Sequence, residues 1–250
     1  QRKQKKSFSQ VELQNQQIWR ENEEIVKKGY YKDSNKKLHH IRAKLSHSND
    51  NTFLIDKNSS YSKSFSFLSK LKIDRSKLRD MFSRIEVTKE GTFEASVRCK
   101  NKDRIEKVCA LNFASATKPG GGVKNGRTAQ EETLSRQSSL YFSLIKQPLM
   151  YNFHKKNKNP YYSDYMIYSP DVVVFRDESY KLVPPTTISV ISSAAVNYSV
   201  LLKSKKPKDI DKKVFSAMKT RCRRILQVAV SEGNNCIVLG AFGCGVFKNK

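Results

Sequence analysis

Apolar residues recur along this chain with two periods, and they divide it into a helical opening and a body of alternating strands and helices. Ser9-Gln10-Val11-Glu12 has the form of a helix capping box. Val11, Ile18 and Ile25 follow at heptad spacing, with Trp19 and Val26 widening the stripe. This pattern predicts a helix that stops before Gly29, a residue suited to a C-terminal cap. Residues 46–70 are rich in Ser, Asn and Lys and read as a long, partly disordered surface insertion. Residues 1–83 are therefore expected to be a helical extension in front of a core spanning 84–250.

From residue 84 the texture changes. Ile85-Glu86-Val87 is a short strand candidate and residues 92–100 a short helix. The run Val108-Cys109-Ala110-Leu111-Asn112-Phe113-Ala114 has the length and apolarity of a strand covered on both faces. Residues 129–146 are expected to form one helix, with Leu134, Ser138, Tyr141 and Ile145 on a stripe. Residues 172–175, 188–191 and 237–239 are further strands. Val214, Met218, Cys222, Ile225 and Ala229 mark a long helix before the last of them. No internal repeat is present. The fold class is α/β, a mixed sheet with helices on both faces behind an N-terminal helical extension.

Composition narrows the function only partly. No stretch approaches the ~18 apolar residues of a membrane span, and the basic start lacks the apolar core of a signal peptide. The first residue is Gln rather than Met, so the chain is expected to be a fragment or a processed product. Five scattered cysteines without a C-x-x-C pair fit a reducing, intracellular setting, cytoplasm or nucleus. The four histidines form no ligand set, and neither a metal nor a cofactor is expected. Forty-eight Lys and Arg against 23 Asp and Glu leave a net charge of +25, which favours polyanionic partners. The lysines are dispersed, however, and suit a solvated surface equally well. Charge alone does not separate one polyanion from another, and nucleic acid stays open on this ground.

Two glycine-rich loops follow predicted strands. The first is Pro119-Gly120-Gly121-Gly122-Val123, and the second is Gly240-Ala241-Phe242-Gly243-Cys244-Gly245-Val246-Phe247. Ligands of open α/β sheets bind where strands end and loops diverge. Glycines there let backbone N–H groups approach phosphate oxygens, although one such loop is often only a turn. Neither loop matches G-x-x-x-x-G-K-[ST], which disfavours nucleoside triphosphate hydrolysis. After the first loop comes Gln130-Glu131-Glu132. Thr128-Ala129-Gln130-Glu131 has the capping-box form, and on spacing alone these acids are ordinary helix-start residues. A catalytic reading needs one of them to act as a general acid, with a raised pKa.

These residues carry a resemblance. Leu111 to Ala116 (LNFASA), Pro119-Gly120-Gly121-Gly122, Ala129-Gln130-Glu131-Glu132 and Ser138-Ser139-Leu140-Tyr141 resemble the microbial-type poly(ADP-ribose) glycohydrolases. Their GGG and QEE elements are separated here by seven residues. The similarity extends through Tyr165 to Val172 (YMIYSPDV), Phe175-Arg176-Asp177, Ile188 to Ser192 (ISVIS) and the second loop. Trp19 to Tyr30 (WRENEEIVKKGY) is similar to that family's leading helix. Coverage is about residues 15–45 and 84–250, while 46–83 match poorly.

The resemblance implies a macrodomain-like three-layer sandwich that holds ADP-ribose across its strand ends. It also implies exo-type hydrolysis of ribose–ribose bonds. Carried over by position, Glu132 is the catalytic acid and Glu131 orients a ribose hydroxyl. Substrate contacts fall to Gly120, Gly121, Gly122, Val123, Gln130, Asn112 and the stretch from Gly240 to Phe247. Within that stretch Phe247 and Phe242 would pack on ribose or adenine, though core packing suits Phe242 equally well. Asp171, Arg176 and Asn197 lie in similar segments without an assigned role. Val123 stands where relatives often have Phe, and Ser135 where Cys is common. Relatives usually continue beyond the second loop into a closing helix, so either a longer natural chain or another segment covering that face of the sheet is expected. The partners implied are poly(ADP-ribose), ADP-ribose and ADP-ribosylated proteins, with no membrane. The rivals are a binding-only macrodomain, which has no need of the second carboxyl, and a mono(ADP-ribosyl) hydrolase. A nucleic-acid-binding protein rests on charge alone.

Overall fold

Helix α1 (Gln10–Lys28) opens and closes where its signals lie. Ser9 Oγ accepts from Glu12 N at 3.2 Å, Glu12 accepts from Ser9 N at 2.9 Å, and Gly29 ends the helix at φ 75°. Its buried face differs from the expected stripe. Asn15, Trp19, Asn22 and Ile25 point inward, while Val11 is 57% exposed. The asparagines tolerate burial because each donates to a distant carbonyl, Asn15 to Gly126 O (3.0 Å) and Asn22 to Arg136 O (2.6 Å). Trp19 adds ring contacts with Tyr141 and Phe142. The helix is therefore clamped onto the body of the molecule.

The chain is seen here as a computed structural model that describes residues 8–58, 85–102, 105–203 and 209–250. After α1 come a hairpin, β1 (Tyr30–Lys32) and β2 (Leu38–His40), then α2 (Arg42–Asp50) and β3 (Phe53–Ile55). Next are α3 (Thr92–Lys100), β4 (Val108–Phe113), a 3-10 turn (Val123–Asn125), α4 (Gln130–Gln137), α5 (Leu140–Leu144) and α6 (Pro148–Asn157). The chain closes with β5 (Met166–Arg176), β6 (Leu182–Ser193), α7 (Tyr198–Leu201), α8 (Ile210–Ser231) and β7 (Cys236–Val238). The main sheet has the order β3-β5-β6-β4-β7. Its β3–β5 and β5–β6 pairs are antiparallel, and β6–β4 and β4–β7 are parallel.

The period of two in β4 sorts the layers. Val108 and Ala110 join Phe93, Leu134, Leu144 and Met150 from α3 to α6. Cys109 and Leu111 join Ile225, Val228 and Ala229 of α8. A third cluster packs Ile25, Tyr31, Ile41 and Leu45 against Val173 and Phe175 of β5. The result is a three-layer sandwich around a mixed sheet. Each fully buried Leu or Ile in it contributes about 1.5–3 kcal/mol.

Four expectations need correction. First, β3 lies inside the stretch read as a loose insertion and forms an outer strand of the main sheet, so the division at 83/84 does not separate an appendage from a core. Residues 59–84, which hold the rest of that insertion, lie outside the described residues. Second, Ile85-Glu86-Val87 is no strand, and Ile85 and Val87 are exposed. Third, the helix expected over 129–146 breaks at Ser138 (φ −150°), which bridges Val174, while Ser139 N donates to Val173 O at 2.9 Å. Pairing with β5 takes the backbone groups that a continuous helix would use. Fourth, the apolar stripe expected on that helix fails at its far end, where Ile145 is exposed. No helix among the described residues is long and apolar enough to cross a membrane.

Candidate active site

Strands β4 and β7 run parallel as neighbours, so the glycine loops that follow them leave the same end of the sheet. Phe113, the last residue of β4, stands between the two. Its N–H donates to Gln130 Oε1 at 2.9 Å, and its ring lies 5.7 Å from that of Phe242 in the second loop. The start of α4 and the second loop thus meet across one strand end.

Helix α4 starts at Ala129 without a side-chain cap, so the capping box suggested by Thr128 to Glu131 does not form. Its first-turn carboxyls are turned to other work. Glu131, 3% exposed, accepts from Ser115 N at 2.7 Å and from Asn112 Nδ2 at 3.4 Å. Glu132, 8% exposed, accepts from Gly122 N at 2.8 Å through Oε1. Its Oε2 has no protein hydrogen-bond partner among the described residues. Two adjacent side chains therefore reach separate backbone donors, one at the end of β4 and one in the first loop.

Gly121 shows why that loop is glycine-rich. It has a left-handed φ of 58°, and a Cβ there would run into Glu132 Oε1. Burial pushes the Glu131 carboxyl up from 4.5 to about 8, against the Ser115 hydrogen bond, and the neighbouring Glu132 adds to the rise. A protonated Glu131 also suits Asn112, whose Oδ1 is buried without a partner. With the amide turned over, that oxygen could accept from the acid.

The remaining expected residues divide into supports and open faces. Gln130 is a support: its amide group donates to Leu111 O (2.8 Å) and Thr92 Oγ1 (3.2 Å), stapling α4 to β4. Val123 is 1% exposed and lies beneath Gly120, so its side chain presents no open face. In the second loop Phe242 is buried in the α8-side core, as the packing alternative held. Phe247 is half-buried, and Ser199 N donates to its carbonyl at 2.9 Å. Ala241, Cys244, Gly245 and Val246 are exposed, Gly240 borders the Phe113 ring, and Gly243 accepts from Asn249. Ser115, Ser192 and Thr92 escaped the sequence reading because backbone donors and second partners leave no residue-type signal. Arg176, left without a role, bonds Glu21 and Asn22 of α1 at 2.9 and 2.7 Å and serves the fold. No cluster of three or more His, Cys, Asp or Glu suited to a metal occurs among the described residues.

Fold and site together define a macrodomain-like α/β sandwich with a buried carboxyl pair at the junction of two glycine loops. A family model for the catalytic domain of microbial-type poly(ADP-ribose) glycohydrolase (PARG) matches residues 20–177. The chain belongs to this family. Its structure is similar to that of PARG from Thermomonospora curvata, with TM-score 0.84 and 33% identity over 95% of this chain and 83% of that one. The same bacterial enzyme bound to the inhibitor ADP-HPD is similar at TM-score 0.81 and 33% identity, over 95% and 82% of the two chains. PARG from Deinococcus radiodurans in complex with ADP-ribose is similar at TM-score 0.66 and 35% identity, over 82% and 78%. Among curated proteins no relative matches.

Proposed function

We infer that this chain hydrolyses poly(ADP-ribose), cutting ribose–ribose bonds from the chain end to release ADP-ribose. The observation that carries this reading is the carboxyl pair, buried at the loop junction and held by N–H donors of Ser115 and Gly122 rather than spent on capping the helix. Glu132 is the acid. It protonates the departing ribose 2′-oxygen as positive charge builds on the anomeric carbon, then takes a proton from the water that replaces it. Glu131, buried and proton-retaining, holds a ribose hydroxyl and so orients the sugar. Cys244 N donates to Ala241 O at 3.1 Å within the turn, while the exposed backbone of Gly245 and Val246 is reachable by a diphosphate, and its N–H groups would fix the anion while the reacting bond sits over Glu132. Phe247 packs against the nucleoside. The +25 charge favours capture of the polymer, free or attached to proteins. The five free cysteines support a reducing compartment, cytoplasm or nucleus.

Glu132→Gln keeps the shape of the site and removes the carboxyl that passes the proton in this mechanism. Cleavage of polymer is expected to fall by about a thousandfold or more, while ADP-ribose binding stays within about tenfold of wild type. A variant that shortens polymer at the normal rate contradicts this mechanism.

A further inference from the structure

Tyr162 has a left-handed backbone, φ 55°, which bulky side chains rarely adopt. The other left-handed tyrosine among the described residues, Tyr180 (φ 61°), sits in the turn of the β5–β6 hairpin, where such geometry is ordinary. Tyr162 lies in the connection between α6 and β5, and several independent bonds hold that connection in place. Tyr162 N donates to Asn159 O at 2.9 Å, and Tyr161 N to Asn159 Oδ1 at 3.0 Å. The guanidinium of Arg221, itself buried, donates to Tyr161 O, Asp164 Oδ1 and Ala194 O at 3.0, 3.0 and 2.7 Å. Asn197 N donates to Pro160 O at 2.8 Å. Strain that is over-determined in this way calls for a use.

Its use is visible in what the ring touches. The Tyr162 ring lies 6.0 Å from that of Phe247 and 5.3 Å from that of His154, and its hydroxyl accepts from Asn197 Nδ2 at 3.3 Å. Asn197 Oδ1 accepts from Ser199 Oγ at 2.7 Å, and Ser199 N holds the Phe247 carbonyl. Lys248, next to Phe247, is left-handed as well, at φ 56°. On the opposite side, buried His154 bonds Ser163 Oγ at 2.7 Å and Ala116 O at 3.0 Å. Burial keeps this imidazole below its ordinary pKa, so it is neutral, donating from Nδ1 to Ala116 and accepting the Ser163 hydroxyl proton at Nε2. Ala116 directly follows Ser115, whose N–H holds Glu131. One strained residue and one buried imidazole thus link the first loop's carboxyl support to the aromatic wall of the second loop.

We propose that Tyr162 is a positioning residue for the nucleoside part of the substrate. It sets the face of Phe247, and His154 fixes its distance from the carboxyl pair. The proposal rests on the reading of this cleft as the ADP-ribose site. It assigns Tyr162 to ground-state grip and leaves the chemical step to Glu132.

The test is Tyr162→Gly, because glycine adopts the left-handed backbone without strain and so separates loss of the ring from loss of the fold. ADP-ribose Kd and polymer KM are expected to rise about tenfold, the size of one aromatic contact. The turnover number kcat is expected to stay within about threefold, and Tm to hold or rise. Tyr162→Phe, which keeps the ring, is expected to restore affinity to within about twofold. Should the glycine variant fail to fold, Tyr162→Asn, which also tolerates this backbone, takes its place. Wild-type affinity in the ring-less variant, or a fall in kcat as large as the rise in Kd, overturns the proposal alone. A wild-type chain that does not bind ADP-ribose overturns the reading of the cleft and this proposal with it.

Discussion

The two glycine loops differ in what already touches them. In residues 119–123 the backbone is pressed against the protein's own acids: Gly122 N bonds Glu132, and Gly121 has no room for a Cβ beside the same carboxylate. In residues 240–247 the middle of the loop is open: Gly245 has nothing within 4 Å of where a Cβ would stand, and Val246 is 75% exposed. The same residue type therefore answers to different needs. The first loop is glycine-rich because side chains inside the molecule must be held close to backbone donors. The second leaves the backbone in its middle exposed. On the proposed function, chemistry and grip divide between two strand ends, β4 and β7.

One methyl group added to each loop would sharpen that contrast. Gly121→Ala introduces a Cβ into the Glu132 carboxylate at a φ that alanine resists. Displacing the acid by about an ångström is expected to lower kcat/KM on polymer by about a hundredfold. Near-normal turnover in this variant would show that the close contact is dispensable.

The buried acid gives the second test, through stability. Glu131 titrates near 4.5 when unfolded and at about 8 when folded. Below pH 4.5 both states are protonated and nothing is lost. Between 4.5 and 8 the unfolded state releases the proton and the folded state keeps it, so stability erodes by about 1.4 kcal/mol per pH unit until the folded carboxyl ionises. Glu131→Gln cannot titrate. Its Tm relative to wild type is expected to climb across this window and to level off above pH 8. Parallel profiles for the two proteins would mean that burial does not control this carboxyl.

The smallest effect belongs to the open loop. Gly245→Ala meets no protein atom, so Tm should not change. A ligand approaching the backbone would meet the new methyl group, and ADP-ribose binding is expected to weaken about threefold. A drop in Tm with unchanged binding would reverse the roles given to the loops.

Much of this division could be read from the residues, because its signals are local. The capping box at Ser9 and the cap at Gly29 fixed α1 to the residue, and the apolar run from Val108 marked β4. The glycine loops stood out by composition, whereas Glu131-Glu132 read as ordinary helix-start residues on spacing and were singled out only by the family resemblance. What escaped depends on distant partners. Asn15 and Asn22 are buried through carbonyls more than a hundred positions away. Ser138 leaves its helix to bridge β5, and Phe53-Leu54-Ile55 becomes a strand only because β5 offers an edge. Thr128 to Glu131 shows the reverse error, a local motif overruled when burial gave its acids stronger duties. Tyr162 and His154 carried no signal at all, since a backbone angle and a pair of loop contacts are not written in residue type.

The most direct measurement is incubation of the chain with poly(ADP-ribose), with the products separated by size. The account requires free ADP-ribose to accumulate as the polymer shortens. Polymer that is bound but stays at full length would mean that the cleft recognises ADP-ribose without cutting it, and would contradict the role given to Glu132.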